Sequence, residues 1–311
     1  MRAERRDLGD GAPLYLTDGG LETVLLYQRG MDLPCFAAFP LIDRADGPEA
    51  LRSYLEPYPG IALRNGTGLL LSVPTWRASA DWGRVLGYDD AGLADAIRRL
   101  VQLYEGFRRE WSGELEIAIE AQVGPRGDGY VPGARMSARG AEAYHRVQLT
   151  TLSETTVDLA TALTLTYVDE AVGIVRAAAA LDLPVSVGCT AETDGRLPSG
   201  QDLGSAIEEV DAACARRPLF YLLNCAHPAH VLGALGAGAW RERVGGLRPN
   251  ASRKSHAELD AADELDDGDP RELGVETARL HARLPSIRVL GGCCGTDERH
   301  VASIAEHWLA G

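Results

Sequence analysis

The fold class follows from three consecutive segments: Val157-Asp-Leu-Ala-Thr-Ala-Leu163, Val168 to Ala180, and Pro184-Val-Ser-Val-Gly188. The first and third are short, β-rich apolar runs of the kind that form parallel strands covered on their outer face. The middle segment carries apolar residues at helical spacing, with charge on the opposite face. The pattern predicts a strand, a helix and a second, parallel strand.

Six more apolar runs of this kind occur along the chain, which brings the number of predicted strands to eight. They are Leu14–Thr17, Gly68–Val73, Leu115–Glu120, Leu219–Asn224, Arg243–Arg248 and Ile287–Gly292. Intervening segments such as Ala91 to Arg109 and Leu203 to Ala215 have helical spacing. Eight β/α repeats predict a single (β/α)8-barrel catalytic domain over residues 1–311. A doubly wound open sheet is the alternative, but no Gly-x-Gly-x-x-Gly follows the first strand.

Two connections are longer than a minimal barrel needs. One follows the first strand, from Tyr27 to Gly66, and the other follows the seventh, from Asn250 to about Glu276. The second contains an acidic, partly helical stretch from Ser255 to Asp269. Long loops in compact domains often form lids or partner surfaces, and a solvated acidic excursion is the other interpretation.

The charge of the chain narrows its partners to small molecules. A net charge of −14 disfavours a nucleic acid or an anionic membrane, since both attract cationic surfaces. No apolar run approaches the roughly 20 residues of a membrane span, and the charged segment Met1 to Asp10 lacks a signal-peptide core. These features predict a cytoplasmic enzyme, and they leave open whether it forms a homo-oligomer. In a reducing cytosol, clustered cysteines more often bind metal or do chemistry than form disulfides.

Three of the six cysteines stand where a barrel enzyme carries its chemistry, at the carboxyl ends of strands. Cys225 ends the sixth predicted strand, and Cys293 and Cys294 end the eighth. Because these strands lie two apart around the ring, the three sulfur atoms are expected to converge. Three thiolates suit Zn²⁺ and leave its fourth tetrahedral position open, which is typical of a catalytic site.

Such a site has a direct chemical use. A thiol with a pKa of about 8.5 is mostly protonated at neutral pH, and only its thiolate is a good nucleophile. Coordination to zinc removes the proton and holds the sulfur for attack on a methyl group. The cysteine pattern therefore favours a zinc enzyme that activates a thiol as a nucleophile.

Over nearly its full length, the chain resembles the zinc-dependent homocysteine S-methyltransferases, the family that includes betaine–homocysteine methyltransferase. The matching segments are Asp18-Gly-Gly-Leu-Glu-Thr, Pro74-Thr-Trp-Arg-Ala-Ser, Val123-Gly-Pro, Asp194-Gly-Arg-Leu-Pro-Ser-Gly, Asn224-Cys, Pro249-Asn and Gly291-Gly-Cys-Cys-Gly-Thr. The resemblance implies transfer of a methyl group from a sulfonium or betaine-type donor to homocysteine, which gives methionine. There are two alternatives: the acceptor is another small thiol or selenol, or the chain is a non-catalytic homologue that binds zinc or thiols.

Carried over residue by residue, the resemblance makes Cys225, Cys293 and Cys294 the zinc ligands and catalytic residues. It places Asp18, Gly19, Gly20 and Thr75 around the amino and carboxylate groups of the substrate, together with Asn224, which we expect to brace the cysteine loop. An aspartate suits an ammonium, whereas backbone N–H groups and a hydroxyl suit a carboxylate. The chain departs from the family at Leu163, where a glutamate usually helps to hold the substrate's amino group. Either Asp18 or Glu22 then holds this group, or the acceptor is not homocysteine.

Further residues near the predicted strand ends have two interpretations each. Cys189 is a spare zinc ligand or a packing residue, and His227 is a ligand or, with His230, part of the start of the following helix. His256, in the seventh loop with Arg253 and Lys254, contacts a donor or lies in solvent. The aromatic residues Tyr27, Trp76 and Tyr167 hold a methylated cation or only pack at the rim.

Overall fold

Eight parallel strands close into a barrel in chain order, β1 to β8, in the computed structural model. The strands are β1 (Tyr15–Leu16), β2 (Gly68–Val73), β3 (Ile117–Val123), β4 (Leu159–Leu165), β5 (Val185–Cys189), β6 (Tyr221–Asn224), β7 (Val244–Arg248) and β8 (Val289–Leu290). Each overlaps one of the eight predicted runs. Pairing of β1 with both β2 and β8 completes the ring, so the predicted (β/α)8 barrel is confirmed.

The structure describes residues 5–9 and 11–311. Met1 to Glu4 and Asp10, which belong to the charged amino-terminal segment, lie outside the described residues. Among the helices within the described ranges, none combines the length and the apolar character that crossing a lipid bilayer requires.

Helices fill the connections between the strands. They are α1 (Leu21–Thr23), α2 (Gly47–Leu55), α3 (Pro57–Asn65), α4 (Ala80–Val85), α5 (Asp90–Glu110), α6 (Ala138–Ser153), α7 (Val168–Ala180), α8 (Leu203–Ala213), α9 (Pro228–Ala234), α10 (His256–Asp260), α11 (Pro270–Ala278) and α12 (Glu298–Ala310). Short 3-10 helices span Pro34–Phe36, Phe39–Asp43 and Ala239–Arg243, and a π-helical turn spans Val24–Gln28. The three helices predicted from apolar spacing correspond to α5, α7 and α8.

Helix α5 illustrates why these segments are helical and how they cover the barrel. Asp89 caps its amino terminus by accepting a hydrogen bond from the Gly92 N–H group. Its buried residues recur every three or four positions, from Leu93 to Phe107, and form one apolar face. The strands that this face covers, β2 and β3, are buried along their whole length. Burial on both faces explains why these strands have few polar residues.

The two long connections are largely helical. The first contains α2, α3 and two of the 3-10 helices, and the second contains α10 and most of α11. Ser255 and Glu258 form a capping box that starts α10 and turns His256 inward, where its side chain is buried. The interpretation of His256 as a residue in solvent is therefore wrong, although Arg253 and Lys254 are exposed.

Candidate functional site

The predicted cysteines converge at the barrel mouth, the rim formed by the carboxyl ends of the strands. Cys225 directly follows β6, and Cys293 and Cys294 follow β8. The three Sγ atoms all lie within 4.8 Å of one another. The Sγ atoms of Cys225 and Cys293 are 2.13 Å apart, as a disulfide, so metal binding requires this pair in its reduced form. Three soft sulfur donors with room for a fourth ligand are a donor set that fits zinc.

Asn224 holds the backbone that presents Cys225. Its amide oxygen accepts a hydrogen bond from the Thr164 N–H group at 3.0 Å, and its amide nitrogen donates to the Thr164 hydroxyl at 2.9 Å. Thr164 (φ 62°) and Cys225 (φ 52°) both have left-handed backbone conformations, which are rare for residues with a side chain. The Asn224 amide thus ties together two strained backbone positions, Thr164 within β4 and Cys225 just after β6.

Aromatic and imidazole rings pack beside the sulfur atoms. His256 shares hydrogen bonds with the Cys225 carbonyl at 2.8 Å and with Glu192 at 3.0 Å. Tyr130 stacks on the His256 ring at 4.0 Å and donates its hydroxyl proton to Cys294 Sγ at 3.7 Å. Burial raises the pKa of the Cys294 thiol to about 11, so this thiol is protonated at neutral pH unless a cation stabilises its thiolate.

No other side chain joins the cysteine cluster among the described residues. Cys189 is buried in the hydrophobic core and lies outside the group of candidate ligands. His227 caps α9 by accepting a hydrogen bond from the Ala229 N–H group. Burial also lowers the pKa of His227 to about 4. Its position supports the capping interpretation over the ligand interpretation.

A cavity of about 350 Å³ opens at the barrel mouth next to the sulfur atoms. Its wall includes Gly19, Gly20, Tyr27, Trp76, Arg77 and Leu163, as well as Glu22, Arg248 and the three cysteines. Leu163 is 6% exposed and presents an apolar surface at the position where a carboxylate was expected. Tyr167 lies outside this wall and accepts a hydrogen bond from the Met136 N–H group.

Asp18 lies beneath the pocket in a buried network around Arg248. Arg248 donates to Asp18 at 2.7 Å and to Glu120 at 2.8 Å, and both ion pairs are almost fully buried. Ser72 also donates to Glu120, at 2.7 Å. Sequence reasoning missed Arg248, although an arginine that ends a buried apolar run is a signal for such a network. The Asp18 carboxylate is therefore already paired within the chain.

The other expected substrate contacts are also engaged within the chain. The Gly19 N–H group donates to the Tyr58 hydroxyl at 3.1 Å, and the Gly20 N–H group donates to the Thr296 carbonyl at 2.9 Å. The Thr75 hydroxyl is fully buried and donates to the Gln122 carbonyl at 2.7 Å. Gly20 packs so closely that a Cβ atom there would lie 2.5 Å from the Cys293 carbonyl oxygen. These residues shape the pocket and leave few free donors for a carboxylate.

Two charged side chains in the wall are shielded from solvent and have no ion-pair partner among the described residues, whereas the unpaired carboxylates of Asp128, Asp260 and Glu264 in the same wall are exposed. Glu22 is one, and its burial, with Asp18 nearby, raises the pKa of its carboxyl group to about 7. Arg77 is the other; it is 7% exposed and lies between the rings of Trp76 and Trp82, 4.1 Å from the centre of each. It donates to the Gly127 carbonyl at 2.7 Å, and its buried Nε has no hydrogen-bond partner.

Comparison with known proteins gives a family and a fold. A family model described as homocysteine S-methyltransferase matches residues 15–308. The structure is similar to crystal structures of the homocysteine methyltransferase MmuM from Escherichia coli in its oxidized form (TM-score 0.73, 21% identity) and metallated form (TM-score 0.72, 18% identity). Each match covers 96% of this chain and 97% of the other. At these identities the structural likeness shows a shared fold, and no curated protein matches the chain.

Proposed function

Because this chain belongs to the homocysteine S-methyltransferase family, we propose that it methylates the thiol of homocysteine to give methionine, at a zinc ion held by Cys225, Cys293 and Cys294. The observation that carries the proposal is the convergence of these three sulfur atoms at the mouth of the barrel, beside a cavity of substrate size. Family membership makes the chain a methyltransferase; the metal, the donor and the acceptor are what we propose.

The zinc site is supported by the chemistry of its donors. Zinc, when bound, lowers the pKa of a coordinated thiol so that the thiol reacts as a thiolate. The chain's own residues hold the ligands in place: Asn224 fixes the turn that carries Cys225, and Tyr130 supports Cys294 through its hydroxyl group. Since the ligands must be thiolates, we further propose that the enzyme works in a reducing cytoplasm.

The methyl donor is proposed to be a sulfonium or a betaine-type quaternary ammonium. Tyr27 lines the pocket and is 47% exposed, so its aromatic face is free to contact a methylated cation. Asp128, Asp260 and Glu264 add carboxylates to the same wall. Both features favour a cationic donor over an anionic one.

The residues expected around homocysteine are proposed to act mainly by shaping its site. Asp18 positions Arg248, and Thr75 ties the loop after β2 to β3. Gly19 and Gly20 allow the first loop to pack against the backbone of Thr296 and of Cys293, respectively. Asn224 acts on the cysteine loop. In this proposal, none of these five residues contacts the charged groups of the substrate directly.

A second candidate acceptor is a small thiol or selenol without an amino group. Leu163 favours this candidate, because it lines the pocket and cannot pair with an ammonium. Direct binding of homocysteine and of an apolar thiol, compared by isothermal titration, separates the two candidates. Tighter binding of homocysteine supports the first.

The decisive experiment is methyl transfer by the reduced, zinc-loaded protein. S-methylmethionine, S-adenosylmethionine and betaine are tested in parallel with homocysteine as acceptor. Methionine formation with one donor identifies the reaction and its donor. Absence of product with all three, while zinc and homocysteine both bind, would contradict the proposed reaction and favour a non-catalytic homologue.

A further inference from the structure

Glu22 and Arg77 are the two charges on the pocket wall that are shielded from solvent and have no ion-pair partner among the described residues. Three other carboxylates of the wall without an ion pair, Asp128, Asp260 and Glu264, are exposed. The third charge near Glu22 and Arg77 is that of Arg248, which is neutralised by Asp18 and Glu120. Buried charges are usually paired, because removing an ion from water is costly unless a partner compensates for it. An unpaired carboxylate and an unpaired guanidinium in one pocket therefore indicate a ligand that carries both a positive and a negative group.

The structure also removes the other candidates for binding an amino-acid head group. The Asp18 carboxylate is paired with Arg248 at 2.7 Å, and Leu163 has no charge. The backbone N–H groups of Gly19 and Gly20, as well as the Thr75 hydroxyl, donate within the chain. None of these groups is free to hold an ammonium or a carboxylate in the present arrangement.

Arg77 has the features of a preorganised carboxylate-binding residue. Trp76 and Trp82 hold its guanidinium plane from both sides, and a single hydrogen bond to Gly127 fixes one end of the group. A guanidinium fixed in this way loses little conformational entropy when it binds a carboxylate through two parallel hydrogen bonds. No carboxylate of the described residues forms an ion pair with it, so the donors that remain are available to a ligand.

We infer that Glu22 and Arg77 together bind the zwitterionic head of an α-amino acid whose thiol reaches the cysteine cluster. Glu22 pairs with the ammonium group and Arg77 with the carboxylate. This inference rests on the proposed function and assigns its substrate specificity to residues outside β4. It also explains how an amino-acid thiol binds although Leu163 has replaced a carboxylate.

The test is binding of three thiols to the reduced, zinc-loaded protein by isothermal titration. Homocysteine carries both charged groups, 4-mercaptobutyrate lacks the ammonium, and 3-mercaptopropylamine lacks the carboxylate. Glu22→Gln should weaken homocysteine and 3-mercaptopropylamine by at least about tenfold, because a desolvated charge pair is lost, and should leave 4-mercaptobutyrate unchanged. Arg77→Gln should weaken homocysteine and 4-mercaptobutyrate and leave 3-mercaptopropylamine unchanged.

The same data form a double-mutant cycle, in which a substitution in the protein is combined with removal of a group from the ligand. The cycle distinguishes a residue that contacts the ligand from one that only supports the fold. In the Glu22→Gln protein, removal of the ammonium from the ligand should cost almost no further affinity, because the partner of that group is already absent. Equal weakening of all three thiols by either substitution would overturn the inference and identify that residue as structural. Glu114→Gln and Arg64→Gln are matched controls, since both residues are exposed near the amino ends of β3 and β2, at the opposite end of the barrel.

The wild-type protein distinguishes failure of the inference from failure of the proposed function. Homocysteine binding that neither substitution changes would overturn only the assignment of Glu22 and Arg77. No homocysteine binding by the zinc-loaded wild type would overturn the proposed acceptor, and the inference with it.

Discussion

The two sides of the barrel mouth differ in the elements of the chain that carry their functional side chains. On the sulfur side, Cys225 directly follows β6, Cys293 and Cys294 lie within four residues of the end of β8, and short turns bring the Sγ atoms together. On the charged side, Glu22 lies on α1 in the connection after β1, and Arg77 lies in a turn after β2. In the proposed function, the sulfur side supplies the reaction, and the charged side selects the substrate.

The two buried arginines make the same distinction. Arg248 is 3% exposed and has two carboxylate partners, whereas Arg77 is 7% exposed and has none among the described residues. An arginine held between two carboxylates stabilises the barrel interior, but it has little capacity left for a ligand. An arginine held between two tryptophans keeps its charge available.

Breaking the sulfur side should have the largest effect. Replacement Cys225→Ser removes one of three soft ligands, and we expect zinc affinity to fall by more than the roughly 10–100-fold that loss of an outer partner costs. Methionine formation should fall to background. Metal analysis and the methyl-transfer assay measure both effects. The control is Cys214→Ser, a buried cysteine outside the cluster, and a Cys225→Ser protein that keeps zinc and activity would disprove the metal assignment.

Breaking the partnered arginine should mainly reduce stability. Replacement Arg248→Met leaves Asp18 and Glu120 buried without their cation, so the free energy of unfolding should fall by about 3–5 kcal/mol. Urea denaturation followed by circular dichroism measures this change. The matched control is Arg52→Met, which breaks an exposed ion pair with Glu110 and should cost about 1 kcal/mol or less. Equal stability of the two variants would show that the buried network does not stabilise the fold.

Moving the carboxylate from position 22 to position 163 tests whether the proposed ammonium partner can be relocated within the pocket. In a Glu22→Gln protein, the additional replacement Leu163→Glu supplies a new carboxylate at the end of β4. Homocysteine binding should recover by about tenfold, because the ammonium regains a partner. Leu163→Glu alone should add little, since Glu22 already serves this group. Titration with homocysteine measures both, and a large gain from Leu163→Glu alone would argue against Glu22 as the ammonium partner.

The pH dependence of product binding should show the smallest effect. Burial raises the pKa of Glu22 to about 7, with Asp18 adding to the shift and Arg248 and Arg77 opposing it. Only the ionised carboxylate pairs with an ammonium, so methionine should bind about tenfold more weakly at pH 6 than at pH 8. Methionine is the suitable probe because it has no thiol to ionise. A Glu22→Gln protein should bind weakly and equally at both pH values, and an equal pH dependence in the two proteins would contradict the prediction.

The eight strands were predictable because burial on both faces leaves each strand a short apolar run that a sequence reveals. The positions of the cysteines relative to β6 and β8 were predictable for the same reason, since they adjoin those runs. The conformation of the two long connections was not, because their helices are short and their packing depends on residues distant in sequence. His256 illustrates this: it lies in an acidic stretch, yet it packs against Tyr130 and the Cys225 backbone.

By itself, the sequence determined the barrel, the three cysteines at its mouth and the family to which the chain belongs. Apolar periodicity and residues adjacent to strand ends are local properties, and the chain order of a barrel converts them into neighbours in space. Which charges are paired, in contrast, depends on the three-dimensional packing. Asp18 forms an ion pair with Arg248, which lies 230 positions away in the chain. Glu22 and Arg77 have no ion-pair partner among the described residues. Whether a buried charge is paired depends on what surrounds it in three dimensions, and no local pattern carries that information.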